Sequence, residues 1–242
     1  MKMRLKRFLA STSCTLMLLG GVGGVVEAST NGSSEQEEIK IELEQKIPET
    51  EALREKTKTE KVNLKKVEKE LKWMKKHAPE KYEQVMNSSD TVQGEYSTLS
   101  SSNALGTNGD ILITYDNKTS GWNHGHAAIV RWDNSYVIEA WPNAGVRYYT
   151  NNWKSRFTTW KGLWVSGADG ADYDYAEYYA RLQHGDPYSV AYGKYQDSYW
   201  YCSLLVWKAW YQAGFDLDDD GGVLVTPGDI DQDSQTITFA SR

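Results

Sequence analysis

Residues 199–214 read Y-W-Y-C-S-L-L-V-W-K-A-W-Y-Q-A-G, and the rest of the chain is best interpreted outward from this stretch. Its apolar residues recur at the spacing of one helix face that begins at Cys202, and Gly214 is suited to end the helix. Cys202 then lies in the first turn, on the inward face. Unpaired amide N–H groups and the positive end of the helix dipole stabilise a thiolate there and lower the pKa of the thiol. The stretch therefore predicts a helix that begins with a candidate nucleophile.

The alternative role for Cys202 is packing, because buried free cysteines are common in protein cores. The N-terminus bears on this choice, since residues 1–28 combine a basic start, an apolar run and small residues before a cleavage point. This is the pattern of a secretory signal peptide. Its removal would take Cys14 with it and leave Cys202 without an intramolecular disulfide partner. A single unpaired thiol in a secreted, extracellular protein is typical of a reactive cysteine.

Charge and composition divide the 242 residues, whose formal net charge is -6. After the signal peptide, residues 29–87 form a charged helical segment, and residues 88–108 form a linker rich in Ser, Thr, Asn and Gly. Residues 109–242 have the length of one domain and are predicted to be the catalytic unit. Their acidic excess argues against binding nucleic acid or anionic lipid. We expect no membrane span once the signal peptide is removed.

The charged segment is predicted to contain two helices. The first covers residues 35–47 and ends at Pro48, and the second ends at Pro79. The second carries a heptad seam with two polar breaks, formed by Leu53, Thr57, Glu60, Leu64, Val67, Leu71, Met74 and Ala78. A helical hairpin, a short coiled coil, a spacer, a segment folded back over the catalytic domain and a solvated helix all remain open. Because the segment buries little area alone, we expect a chain that begins near Gly94 to fold and remain active.

Strand patterns begin in the catalytic unit at residues 109–115, and two more follow at residues 125–131 and 136–141. Residues 147–165 form a further aromatic-rich strand region, and residues 173–183 are predicted to be a helix. These elements predict an α+β fold.

The two strands at residues 125–141 are predicted to form a hairpin whose register brings two polar side chains together. If Trp132 pairs with Ser135 across a two-residue turn, His126 lies opposite Trp141, and Glu139 is its diagonal neighbour on the same face. The imidazole and the carboxylate can then meet. A three-residue turn would move Glu139 to the other face and separate the pair.

An acidic run follows the cysteine helix and raises a calcium hypothesis. Asp216, Asp218 and Asp220 alternate before Gly221, as in the first half of an EF-hand loop. The twelfth position is Pro227 instead of the usual bidentate glutamate, so a solvated acidic turn is the alternative. No zinc-ligand set is visible in the sequence, and no cofactor is predicted.

Several motifs together resemble the NlpC-type papain-like cysteine amidases and peptidases. They are G-D-I-L-I at 109–113, H-A-A-I-V at 126–130, G-D-P-Y at 185–188, Y-C-S-L-L-V at 201–206 and V-T-P-G-D-I at 225–230. The cysteine motif comes last, as in the circularly permuted branch called YiiX-like or YycO-like, which includes relatives of lecithin:retinol acyltransferase. The resemblance implies a papain-like domain in which an antiparallel sheet packs on the cysteine helix.

The resemblance also assigns roles within the candidate site. Cys202 is the nucleophile, His126 the general base, and Glu139 the residue that orients the imidazole. Thiol chemistry requires such a neighbouring imidazole to share the proton and then protonate the leaving amine. His124 has the same strand parity as His126 and is a weaker candidate for the base. Tyr201 is a weaker candidate too, either for an oxyanion site or for packing.

The function predicted from these features is secreted thiol hydrolysis of amide bonds. The expected substrate is cell-wall peptide, which would make the protein a peptidoglycan endopeptidase or amidase associated with the wall. Two alternatives remain: a lipid or N-acyl amidase or acyltransferase that uses the same site, and a non-catalytic wall-binding module. The sequence does not indicate an oligomeric state.

Overall fold

The computed structural model describes residues 31–59, 61–88, 103–116 and 125–242, without the side chains at 31–33, 43, 47, 48, 58 and 59. The expected signal peptide, Cys14 and His124 lie outside the described residues. Within them the helices are α1 (Asn31–Thr59), α2 (Leu64–His77), α3 (Pro79–Asn87), α4 (Trp153–Arg156), α5 (Gly170–Leu182), α6 (Cys202–Ala213) and α7 (Pro227–Gln232). The strands are β1 (Ile111–Thr114), β2 (His126–Val130), β3 (Tyr136–Trp141), β4 (Gly145–Thr150), β5 (Lys161–Val165) and β6 (Thr236–Ser241). No helix among these residues is long and apolar enough to cross a membrane.

The six strands form one antiparallel sheet in the order β4-β3-β2-β1-β5-β6. In β1, β2 and β5 every residue is buried, because helices cover both faces of the sheet. The predicted α+β class is confirmed. The predicted strand region at 147–165 is divided by the short helix α4, so it supplies both β4 and β5.

The hairpin of β2 and β3 has the predicted register, with Ile129 opposite Ile138. Its turn is longer than expected: Arg131 donates its N–H to the carbonyl of Tyr136 at 2.9 Å, and Asn134 donates to the carbonyl of Arg131 at 2.8 Å. Asn134 has φ 59°, a left-handed conformation that asparagine tolerates. The turn has four residues where two were expected. Because the difference is even, the register of β2 and β3 is unchanged, and each side chain lies on the predicted face of the sheet.

Helix α6 packs with α5 against one face of the sheet, and its observed bounds confirm the prediction for the cysteine helix. Gly214 ends it with φ 101°, the left-handed cap that glycine adopts at little cost. The core on this face includes Ile111, Ile129, Ile138, Tyr173, Ala176, Leu205, Ala209 and Trp210. This layer fixes the N-terminus of α6 against β2.

The opposite face of the sheet is covered by α2 and α3. Val67, Met74 and Val85 are at most 1% exposed, and they pack in one cluster with Leu112 and Trp164 of the sheet. Of the predicted heptad seam, Val67, Met74 and Ala78 lie in this cluster and Leu71 packs on it, whereas Leu64 is exposed. The predicted second helix is also divided, since Leu53 and Thr57 belong to α1 and α2 begins only at Leu64. Of the alternatives for this segment, the structure selects a segment folded back on the domain.

A buried ion pair joins α3 to the residues before β1. The ammonium of Lys81 lies 2.6 Å from Asp110 Oδ1 and also donates to the carbonyl of Asn108 at 2.7 Å. Both ionic side chains are 1% exposed. The preceding Gly109 has φ 76°, and a Cβ there would lie 2.7 Å from the carbonyl oxygen of Tyr173. In the G-D motif, Gly109 thus allows the backbone to approach Tyr173 closely. Asp110 carries a buried charge, and among the contacts described only Lys81 of α3 neutralises it.

These contacts bear on two expectations about the N-terminal half. The packing of α2 and α3 in the core argues against a separable helical segment, which truncation at Gly94 would test. The predicted linker 88–108 is not wholly a linker either, because Leu105 is fully buried and both its N–H and its carbonyl bond the side chain of Asn151. Local composition marks this stretch as polar, whereas its burial depends on distant residues that composition does not reveal.

Helix α1 corrects a further expectation, because it runs through Pro48 instead of ending there. Proline removes one helical hydrogen bond, and tertiary contacts on both sides of it hold this helix together. Lys46 lies 2.9 Å from Asp229 before the proline, and Leu53 packs on the domain after it. Lys46 also donates to the carbonyl of Leu224 at 3.3 Å. The helix thus lies along the loop that leads into α7.

Two elements near the C-terminus, α7 and β6, were not predicted. Thr226 and Asp229 form a reciprocal capping box around Pro227, which starts α7. The spacing of these three residues is a signal that sequence reasoning missed. Strand β6 pairs along β5 at the edge of the sheet.

Candidate active site

Cys202 is the first residue of α6, and its side chain is buried with 3% residual exposure. Its N-cap, Tyr201, makes no side-chain cap hydrogen bond, so the first-turn N–H groups are not satisfied by a cap. The backbone N–H of Ala127 in β2 also bonds the sulfur. The predicted position of the thiol at a helix N-terminus is therefore observed.

His126 begins β2 and faces Cys202. Its Nε2 lies 2.7 Å from Oε2 of Glu139, the diagonal neighbour expected from the register. The imidazole also lies close enough to Cys202 for each group to shift the pKa of the other, and since Nε2 is engaged, Nδ1 is the atom left for the sulfur. Trp141 contacts the imidazole edge-on at 5.0 Å, and Trp153 stacks on it at 5.6 Å. The three predicted site residues come together in one chain of contacts.

The electrostatics of the Cys202–His126–Glu139 contacts favour a thiolate–imidazolium pair. Burial lowers the pKa of His126, but the charge of Glu139 and the hydrogen bond with Cys202 raise it to about 9. Burial raises the pKa of the Cys202 thiol, and the bond to His126 and its charge bring it below the usual value. Burial likewise raises the pKa of Glu139, whereas His126 and Arg156 lower it to about 2. Near neutral pH the proton therefore resides on the imidazole.

Sequence reasoning missed two arginines that also bind Glu139. Arg147 of β4 stands directly opposite Glu139 in the strand ladder, and its Nη2 lies 2.7 Å from Oε1. Arg156, the last residue of α4, places Nη1 2.8 Å from Oε2 and Nη2 3.2 Å from Oε1. A β3–β4 register would have identified Arg147, since the two strands are joined by a short turn. No local pattern points to Arg156.

Replacing Glu139 with glutamine is expected to lower the pKa of His126 from about 9 toward the ordinary value of 6.5, because the carboxylate charge is the largest influence that raises it. The change should also destabilise the fold by on the order of 3 kcal/mol, since two guanidinium groups lose their buried counter-ion. NMR titration of the imidazole and urea unfolding measure the two effects. An unchanged imidazole pKa would contradict the assignment of Glu139 as its partner.

The contacts of Tyr201 favour the packing role, and its role in an oxyanion site stays an untested prediction. Its hydroxyl accepts a hydrogen bond from the N–H of Val225 at 3.1 Å. On the other side of the nucleophile, Ser203 Oγ donates to the carbonyl of Val225 at 2.7 Å. The two residues that flank Cys202 therefore both bind the backbone of Val225, which holds the 224–227 loop beside the thiol.

A pocket of about 270 Å³, a volume that includes space open to solvent, lies beside Cys202. Its walls are largely apolar and are formed by Val190, Tyr201, Cys202, Ser203, Leu224, Val225, Thr226 and Pro227. The lining contains no acidic or basic side chain. A substrate group that enters it must be small and uncharged.

The other described histidines have partners elsewhere. His77 stacks on Trp73 at 4.9 Å and lies 3.1 Å from its carbonyl oxygen. His184 packs on Tyr148 at 4.2 Å. Since His124 lies outside the described residues, its weaker candidacy is not tested, while His126 occupies the position of the base.

The acidic loop is assembled differently from the calcium hypothesis. Asp216 accepts a hydrogen bond from Trp207 Nε1 at 2.9 Å, and it does not join the other two predicted ligands. Instead, Asp229 of α7 comes together with Asp218 and Asp220, with carboxylate oxygens within 4.8 Å of one another.

Two lysines neutralise this acidic group. Lys46 of α1 lies 2.9 Å from both Asp220 and Asp229, and Lys194 pairs with Asp218. A cation that bound there would have to displace these ammonium groups. Calcium binding therefore stays a prediction of the sequence pattern alone.

Comparison with known proteins supports the family resemblance in part. No family model matches the chain. The chain is 32% identical over 133 residues to the uncharacterized protein YycO of Bacillus subtilis (strain 168), a match that covers 52% of this chain and 54% of that protein. It thus spans about half the length of the curated relative that it matches. This likeness supports the YycO-like resemblance and assigns no activity.

Among solved structures, the metalloprotein YiiX of Escherichia coli O157:H7 matches with a TM-score of 0.46 and 18% identity. The match covers 56% of this chain and 97% of that chain. A likeness at this level assigns neither a fold nor a function.

Proposed function

We propose that this protein is a secreted cysteine hydrolase that cleaves amide bonds through a thioester intermediate, with cell-wall peptide as its substrate. The observation that carries the proposal is the contact chain from Cys202 through His126 to Glu139 at the N-terminus of a helix. Each member has a chemical role: thiolate nucleophile, proton carrier, and carboxylate that fixes the imidazole. A structural cysteine needs neither of the other two.

The reaction proceeds in two halves. Sγ of Cys202 forms a bond to the amide carbon, and the negative oxygen that develops faces the free N–H of the first turn of α6. The C–N bond then breaks, and the leaving amine takes the proton from Nδ1 of His126. In the second half, His126 accepts a proton from water as the water attacks the thioester. The C–S bond breaks, the acid product leaves, and the thiolate–imidazolium pair is restored.

The pocket beside Cys202 supports a short peptide substrate, since its volume and apolar lining suit a small uncharged side chain on the acyl side. The same lining is compatible with the end of an acyl chain, which keeps acyl transfer from a lipid as the second candidate. The two differ in the acceptor: water in one case, and a second substrate in the other.

Hydrolysis is expected to fall as the pH rises through about 9, the pKa of His126, because the imidazole then lacks the proton that the leaving amine needs. The sign follows from the raised pKa, so the protonated form persists through neutral pH and is lost on the alkaline side. The measurement is kcat against pH on a soluble wall peptide. A rate that keeps rising above that pH would contradict the role of His126 as the acid.

The proposed activity is tested by incubating purified cell wall with the wild-type protein and with Cys202→Ala. New amino groups and new peptide fragments, detected by mass spectrometry without any added acyl donor, support hydrolysis. Fragments that appear equally with both proteins would refute it. Product formed only when an acyl donor and acceptor are both present would favour acyl transfer.

A further inference from the structure

Glu139 has more cationic partners than an orienting residue requires. It is fully buried, and one contact with His126 is sufficient to fix the imidazole. Arg147 and Arg156 add four further nitrogen–oxygen contacts of 2.7 to 3.2 Å. One carboxylate thus faces two permanent positive charges in addition to the imidazolium, which leaves an excess of positive charge behind the thiol.

The two guanidinium groups are held in place by aromatic rings. Arg147 lies 4.9 Å from the ring centre of Trp141 and 4.7 Å from that of Tyr149. Arg156 lies at 4.6 and 4.3 Å from the same two rings. Rings in these positions restrict access of water to the guanidinium groups and reduce the screening of their charge. The arginine side chains are 28% and 12% exposed, respectively.

The charged and titratable groups that face the site are few. Glu139 of β3 faces His126, while Tyr188 and Tyr201 lie near enough to Cys202 for the thiolate to raise their pKa. Burial raises the pKa of both phenols further, so they stay neutral through the working range. Of the described groups around the Cys202–His126 pair, the arginines behind Glu139 are therefore the ones that add positive charge at every pH.

We propose that Arg147 and Arg156 are positioning residues that set the pH range of the Cys202–His126 ion pair by offsetting the charge of Glu139. The role rests on the proposed thiol mechanism. A carboxylate alone would favour protonation of both the imidazole and the thiol. The two arginines oppose this, so that the thiolate forms at lower pH while the carboxylate still holds the ring.

The test is to replace Arg156 with methionine and to follow two titrations: the far-UV absorbance of the thiolate and the NMR signal of the His126 ring. Loss of one positive charge should shift both transitions to higher pH, by on the order of half a pH unit. Arg156→Lys keeps the charge and should titrate close to wild type. Arg147→Met, at the more exposed position, provides the same test if Arg156→Met does not fold.

The direction of the shift separates this role from a purely structural one. If the arginines only held Glu139 in place, Arg156→Met would resemble Glu139→Gln, in which both transitions move to lower pH. A shift in that direction, or none, would overturn the proposal. Arg181→Met is the control, because Arg181 pairs with Glu177 within α5 and, among the described contacts, touches neither Glu139 nor the Cys202–His126 pair, so both titrations should stay unchanged. A wild-type thiol that titrates in the ordinary range would instead refute the thiol mechanism itself.

Discussion

Cys202→Ala is expected to lower amide hydrolysis by at least about 10³-fold, because it removes the nucleophile on which both halves of the reaction depend. The fold should remain, since the change deletes one sulfur atom at the edge of the core. Turnover of a wall peptide and thermal melting measure the two quantities.

Ser203→Ala is the matched control for this variant. It removes a buried hydroxyl one residue away, which donates to the carbonyl of Val225 and lies 4.0 Å from Sγ of Cys202, where it helps to lower the pKa of the thiol but forms no bond to the substrate. Most of the turnover should survive in this variant. Equal losses in the two variants would mean that the first turn of α6 matters for structure only.

The second large effect is expected on truncation at Gly94, which should abolish cooperative folding. Removing α2 and α3 exposes the sheet face that Val67, Met74 and Val85 cover, at about 1.5–3 kcal/mol for each buried side chain. Asp110 also loses its buried partner Lys81, at about 3–5 kcal/mol. These losses together approach the whole stability of an ordinary domain, about 5–15 kcal/mol.

A chain that begins at Lys61 is the control for this truncation, because it lacks α1 and keeps α2 and α3. It should unfold cooperatively in circular dichroism melting, with weaker substrate binding, since the loop beside the pocket loses its contact with Lys46. A soluble chain from Gly94 with a sharp melting transition would show that the helices are dispensable after all.

The sequence predicted the central part of the site because that part depends on local patterns. The helix from Cys202 to Gly214 follows from apolar periodicity and a terminating glycine, and the position of Glu139 beside His126 follows from strand alternation in one hairpin. The first pattern lies within one helix, and the second lies within two neighbouring strands. These patterns singled out the thiol and the His126–Glu139 pair separately, whereas their assignment to one site came from the resemblance to a known family of cysteine peptidases.

What was missed depends on contacts between distant parts of the chain. Arg156 reaches Glu139 from a one-turn helix, Lys81 reaches Asp110 from the N-terminal half, and Asp229 replaces Asp216 in the acidic group. Charge balance in the N-terminal segment suggested a solvated helix, because composition does not show which lysine is buried. The proline at position 48 was over-weighted for the same reason, since packing on both sides sustains the helix.

The central claim, an activated Cys202 paired with His126, is tested most directly by the rate at which iodoacetamide alkylates the thiol. In a protein without residues 1–28, Cys202 is the single cysteine, so the modified site is unambiguous. At neutral pH the wild-type thiol should react on the order of 10-fold faster than the thiol of His126→Gln, a variant of similar side-chain volume. Equal, slow rates in both proteins would show that the imidazole does not activate the cysteine, and would contradict the account.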